Sequence, residues 1–182
     1  MPPAAIHASG TDTGNVCTLI AHRALVSDGA PRIRGFNYRG VYRYSLTICS
    51  HAHRRLFTDQ ALVAAVLLEI RHAAEANDLY LLAYCFMPDH IHLVVEGRTD
   101  SADLQRFVKT WKQKTGFEYS KRTGNRLWQV GFFDHVLRSD ESTERHVAYV
   151  LANPVRAGLA RVGEYPFAGL LDRETFVEPE PS

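Results

Sequence analysis

Phe86-Met87-Pro88-Asp89-His90-Ile91-His92-Leu93-Val94-Val95 is a turn leading into a strand, and it follows the almost wholly apolar run from Leu79 to Phe86. An apolar run of that length reads as a central strand, and Pro and Asp at the break read as a tight reversal, so the two runs form an antiparallel hairpin. Side chains alternate along a strand. His90 and His92 therefore project side by side on one face, while Ile91, Leu93 and Val95 take the other.

Upstream, Val41 to Cys49 alternates as a half-buried strand, with Tyr42, Tyr44, Leu46 and Ile48 on one face and Arg43, Ser45 and Thr47 on the other. Thr58 or Asp59 caps a helix to about Asn77 whose stripe is Leu62, Val66, Ile70 and Ala73. Downstream, Gly97 to Ser101 breaks the hairpin, and Leu104, Phe107, Val108 and Trp111 recur at helical spacing. Thr115 to Asn125 reads as a frayed helix end and a basic loop, and Gly131 to Leu137 as a closing strand. A last helix is expected to start at Ser139-Asp140-Glu141, to bury Thr143, Val147, Val150 and Leu151, and to end near Asn153 because Pro154 follows.

Strand, helix, strand, strand, helix, strand is the split βαβ order. The expected fold is α+β: a ferredoxin-like antiparallel sheet with helices on one face and an added C-terminal helix carrying a tyrosine. Residues 1–35 lack a sustained period and read as a flexible leader, 36–170 as one folded domain, and 171–182 as an acidic tail.

The 182 residues are 46% hydrophobic and 23% charged, which suits one globular domain. The start has no basic region followed by an apolar run, and the apolar block from Ala61 to Leu68 is too short to span a bilayer, so a cytoplasmic, nucleoid-associated protein with no membrane partner is expected. Cys17, Cys49 and Cys85 are scattered, which argues against a disulfide framework or a thiolate zinc site. The net charge of +1 hides a basic block, because seven basic residues face one acid between Arg106 and Arg126. Such a block attracts a polyanion or simply forms a solvated helix face.

Two imidazoles aimed at one point suit a divalent ion, although His-x-His is also met as two structurally satisfied histidines. On the last helix His146, Tyr149 and Asn153 share a stripe. A phenol, with a pKa near 10, attacks poorly at neutral pH and needs a target made more electrophilic. An ion on His90 and His92 would polarise a phosphate oxygen, which makes Tyr149 a candidate nucleophile and Asn153, one turn on, a candidate third ligand. The alternatives are a packed tyrosine for Tyr149 and a helix cap for Asn153.

Four motifs then occur in order: Tyr84 to Val95, Leu127-Trp128-Gln129, Phe133 to Ser139, and Glu144 to Leu159 with Tyr149 and Asn153-Pro154-Val155-Arg156-Ala157-Gly158. Together they resemble the REP-associated tyrosine transposases of the HUH single-tyrosine superfamily, from about Tyr42 to Leu159. The resemblance implies a metal-dependent single-stranded DNA endonuclease and strand transferase acting on REP-like hairpins. In it Tyr149 makes a 5′-phosphotyrosine link, and His90, His92 and Asn153 hold Mg²⁺ or Mn²⁺. Arg43, Lys109, Lys112, Lys114, Lys121, Arg122 and Arg138 are the DNA-contact candidates, the first six by charge and Arg138 by its motif. The family suggests a monomer, while related insertion-sequence enzymes work as dimers. A domesticated hairpin-binding protein that no longer cuts, or a hydrolase in which water attacks, are the competing readings.

Overall fold

The computed structural model describes residues 36–137 and 142–171. Its elements run β1 (Arg43–Cys49), α1 (Gln60–Ala76), β2 (Leu79–Met87), β3 (His90–Gly97), α2 (Leu104–Thr123), β4 (Phe133–Leu137), α3 (Thr143–Leu151), a one-turn α4 (Asn153–Arg156) and β5 (Ala168–Leu170). The five strands form one sheet in the order β4-β1-β3-β2-β5, with every neighbouring pair antiparallel. β3 lies between β1 and β2, and β4 pairs β1 from outside, so the ferredoxin-like split βαβ arrangement is present with one strand added at the β2 edge.

The alternation read from β1 and β3 divides the sheet into two faces. Tyr44, Leu46, Ile48, Ile91, Leu93 and Val95 are buried with Leu62, Val66, Ile70, Phe107 and Trp111 in the main core, beneath α1 and α2. Val94, Cys85 and Met87 point the other way, into a smaller cluster with Val147 and Val150 of α3. The added helix thus covers the sheet face opposite to α1 and α2. Because Cys85 and Met87 pair directly with His92 and His90, the histidines share that α3 face.

Local chemistry explains where the helices begin and end. The Asp59 carboxylate accepts from the amides of Ala61 and Leu62 at 2.9 and 3.4 Å and starts α1; Asp103 accepts from Arg106 at 2.9 Å and starts α2. Beyond Thr115 the structure departs from expectation, because α2 continues to Thr123 and stops at Gly124 in the left-handed region, φ 71°. Tertiary cover supplies what the local sequence does not. Trp128 donates its indole N–H to Thr115 Oγ1 at 2.9 Å and lies against Gly116, where a Cβ would sit 3.4 Å from the ring. The same indole stacks on Phe57 and meets Trp111 edge-on.

Two further differences lie near the end of the chain. α3 starts on Ser142, whose hydroxyl accepts from the Arg145 amide at 3.3 Å; the expected start at Ser139 to Glu141 lies outside the described residues. β5 was not expected. It adds to β2 beside Tyr165, whose hydroxyl donates to the Phe86 carbonyl at 2.7 Å, and three residues including a glycine leave no period to read. The acidic tail from 172 on and the leader lie outside the described residues, and none of the described helices is long and apolar enough to cross a membrane.

Gly97 closes the hairpin where two backbones touch, since a Cβ there would lie 2.1 Å from the Gly40 carbonyl oxygen and 3.0 Å from Ala102 Cβ. Backbone cannot yield as a side chain can. Gly97→Ala is expected to destabilise the fold by about 2–3 kcal/mol, read as a lower urea midpoint at unchanged slope.

Candidate active site

β3 presents His90 and His92 with their Nε2 atoms 3.0 Å apart. Each ring is held from behind. His90 Nδ1 lies 2.7 Å from Asp89 Oδ1, and His92 Nδ1 lies 3.0 Å from Thr47 Oγ1, the residue that pairs with it across β1 and β3. Asp89 also faces His53, at 3.9 Å, from the loop after β1. His90 is buried and His92 half-buried. One hydrogen arrangement satisfies every contact: Thr47 O–H donates to His92 Nδ1, His92 Nε2–H to His90 Nε2, and His90 Nδ1–H to the Asp89 carboxylate.

That geometry fits a metal ion. Two Nε2 atoms facing one point 3.0 Å apart could share an ion in place of the proton that lies between them. The Asp89 and Thr47 contacts are the outer bonds that fix a ligating imidazole's ring and tautomer. His92 can turn its Nδ1–H toward Thr47, because a hydroxyl accepts as well as donates. Among the described residues no group of three or more His, Cys, Asp or Glu side chains could hold an ion, so any ligand beyond the two imidazoles would have to be an amide, water or substrate.

Burial, then the neighbouring His90 and Arg156 charges, push His92 down to about 3, with Asp89 opposing. In the unfolded chain this imidazole takes its proton near pH 6.5. Between pH 6.5 and 3 the unfolded state therefore binds more protons, so the stability held above pH 6.5 is lost as pH falls through that window. Urea unfolding at pH 7, 6 and 5 should show a decline of at most about 1.4 kcal/mol per pH unit from this group, and His92→Asn should flatten it.

α3 packs on β2 and β3, so Tyr149 and Asn153 lie on or just after the helix that covers the histidine face. Pro154 has no N–H to give the Val150 carbonyl. The Asn153 side chain supplies one instead, Nδ2 donating to Val150 O at 3.2 Å, and this orients its Oδ1 toward Arg156, which donates from Nη2 at 2.7 Å. One lone pair of that oxygen remains for a ligand. α3 thus ends at Leu151, two residues before the expected position, and Asn153 opens a new turn rather than closing the old one. Tyr149 is 49% exposed, and the Arg156 guanidinium lies 3.8 Å over its ring.

The basic candidates are dispersed. Arg43 donates to Thr143 Oγ1 at the start of α3. Lys112 donates to the carbonyls of Gln129 and Gly131 at 2.9 and 2.5 Å, and Lys114 pairs with Glu69 at 2.7 Å. Lys109, Lys121 and Arg122 are exposed on α2, across the sheet from the histidines, and Arg138 lies outside the described residues. His135 stacks on His146 at 5.7 Å between β4 and α3. Cys49 and Cys85 are unbridged, burial pushes the Cys85 thiol up to about 12, and Cys17 lies outside the described residues.

Two groups at the site had no assigned role in the sequence reading. Thr47 was legible only as a polar-face residue, and its role needs the β1–β3 register. Arg156 had a signal, since Tyr149, Asn153 and Arg156 recur at i, i+4 and i+7.

The fold corresponds to a known class. The chain matches the family described as Transposase IS200 like over residues 40–153, a span that contains β1 to β4 together with His90, His92, Tyr149 and Asn153, and it belongs to that family. It is similar to the REP-associated tyrosine transposase of Escherichia coli, 22% identical over 134 residues that make up 71% of this chain and 75% of that protein. A putative REP-associated tyrosine transposase of Haemophilus influenzae is 29% identical over 99 residues, 48% of this chain and 56% of that one. A solved REP-associated tyrosine transposase bound to a REP hairpin has the same fold, with a TM-score of 0.63 at 19% identity over 76% of this chain and 81% of that one.

Proposed function

We propose that this protein is a metal-dependent single-stranded DNA endonuclease and strand transferase that acts on REP-like hairpins through Tyr149. What supports this most is the pair of imidazoles with Nε2 atoms 3.0 Å apart and their outer nitrogens anchored by Asp89 and Thr47, on the sheet face that α3 covers. His90, His92 and the Asn153 oxygen would hold Mg²⁺ or Mn²⁺, which when bound supplies Lewis-acid polarisation of a phosphate oxygen. Tyr149 Oη attacks the phosphorus, the 3′-oxygen leaves, and the phenolic proton is balanced by the one taken up on the new 3′-OH. The 5′-phosphotyrosine keeps the phosphodiester energy, so a second 3′-OH reverses the step and joins strands without ATP. Exposed Lys109, Lys121 and Arg122, on the helical layer across the sheet, suit a hairpin stem held away from the cleaved strand.

The test is incubation with labelled hairpins, carrying single-stranded flanks and taken from repeats near the gene, in Mn²⁺, Mg²⁺ or chelator, read on denaturing gels. A metal-dependent covalent adduct is expected. Binding without adduct or cleavage across flanks would replace this reading with that of a domesticated hairpin-binding protein.

A further inference from the structure

Arg156 is exposed, yet it makes two specific contacts in the site, with the Tyr149 ring and the Asn153 oxygen. A guanidinium carries five N–H donors in a rigid plane. One goes to Asn153, and the guanidinium carbon lies 3.8 Å from the centre of the Tyr149 ring on an exposed side chain, so donors that Asn153 does not take are open beside the phenol. Among the described residues no carboxylate pairs with it. The result is an uncompensated cation beside the phenol. An anion that offers two oxygens in a plane is what such a fork lacks.

The geometry points to Arg156 as the phosphate-binding residue of this site, gripping the non-bridging oxygens of the phosphodiester that Tyr149 attacks. This rests on the strand-transfer reading above. Negative charge stays on those oxygens while one P–O bond forms and another breaks, so a donor set already in place stabilises the transition state without rearrangement. Stacking on Tyr149 ties the two together: the side chain that orients the phenol also orients its target. A purely structural role, keeping the Tyr149 ring in place, would leave the charge of the phosphate irrelevant.

The experiment is single-turnover adduct formation by wild type, Arg156→Ala and Arg156→Lys. The substrates are a hairpin with its natural linkage and one in which the cleaved phosphate is a methylphosphonate, with a neutral methyl in place of a charged oxygen. Arg156→Ala is expected to slow adduct formation about 10²–10³-fold on the natural linkage, and Arg156→Lys to recover part of that as a point charge. On the methylphosphonate the deficit should shrink to within about threefold. An equal deficit on both substrates, or a rate within threefold of wild type on the natural one, overturns the assignment; melting temperatures of the variants expose any folding defect, and Arg156→Lys then carries the comparison. If wild type forms no adduct with any hairpin, the strand-transfer reading fails by itself. Arg156 is then judged in Tyr149→Phe protein by scanning methylphosphonates along the flank: one position at which Arg156→Ala weakens binding only when the charge is present supports it, and no such position refutes it.

Discussion

Tyr149→Phe is expected to abolish the covalent protein–DNA product and cleavage, a fall of about 10⁴-fold or more, while hairpin binding and stability stay as they are. The substitution removes one oxygen and little else. Tyr149 is half-exposed, and among the described residues no hydrogen bond ties its hydroxyl. Phe keeps the aromatic face on which Arg156 rests at 3.8 Å, since the attraction of a cation to a ring does not need the phenolic oxygen. Stability should therefore move by no more than about 0.5 kcal/mol. The separation of effects is what gives the result its meaning, because a packing tyrosine would keep its activity as well as its stability when replaced by Phe. Full cleavage by the variant would mean that water is the nucleophile and Tyr149 only packs. Cleavage by wild type without any adduct would mean the same. The readout is the denaturing gel for adduct and product, with fluorescence anisotropy for binding on the same protein.

How far the sequence alone reaches depends on whether a feature is periodic or relational. The faces of β1 and β3 follow from alternation, and the buried stripe Leu62, Val66, Ile70 and Ala73 follows from helical spacing; both are properties of one element, and both hold except at Tyr42, which precedes β1 and is 43% exposed. His90 and His92 sit together for the same reason. Features that need two elements were out of reach. The continuation of α2 past Gly116 depends on Trp128 returning to cover it, and the part played by Thr47 depends on register across the sheet. β5 depends on the free edge of β2 beside it rather than on its own three residues. The helix end at Leu151 turns on a smaller matter: Pro154 was read as a stop, whereas the Asn153 amide replaces the missing N–H and lets a second turn begin. That same replacement aims the Asn153 oxygen, so a residue read as either a cap or a ligand carries a bond of the first kind on its nitrogen and leaves its oxygen for the second.

The second large effect concerns the histidines. His90→Ala combined with His92→Ala is expected to remove Mn²⁺ binding and, with it, any stabilisation by the ion. Wild type at an ion concentration a hundred times its Kd should gain about 2.7 kcal/mol, and the double variant should gain none. Calorimetric titration and the Mn²⁺-dependent rise in melting temperature read the two quantities without any DNA present. The outer contacts set a graded scale beneath that loss. Asp89→Asn keeps an acceptor for His90 Nδ1–H but drops the charge, and Thr47→Val leaves His92 Nδ1 with no partner where a hydroxyl stood at 3.0 Å. Each should weaken Mn²⁺ about 10–100-fold, short of the double variant. The ordering discriminates between roles. If the imidazoles were merely a structural hydrogen-bonded pair, replacing both would cost stability and the ion would bind the variant as it binds wild type. If they are ligands, Mn²⁺ raises the melting point of wild type and leaves that of the variant where it stands without the ion. His90 and Asp89 are both buried and joined at 2.7 Å, so the double variant takes a partner from a buried carboxylate and loses some metal-free stability under either role. Loss of the Mn²⁺ response, read for each protein as the shift on adding the ion to it, is thus the signature of a site arranged for an ion before the ion arrives.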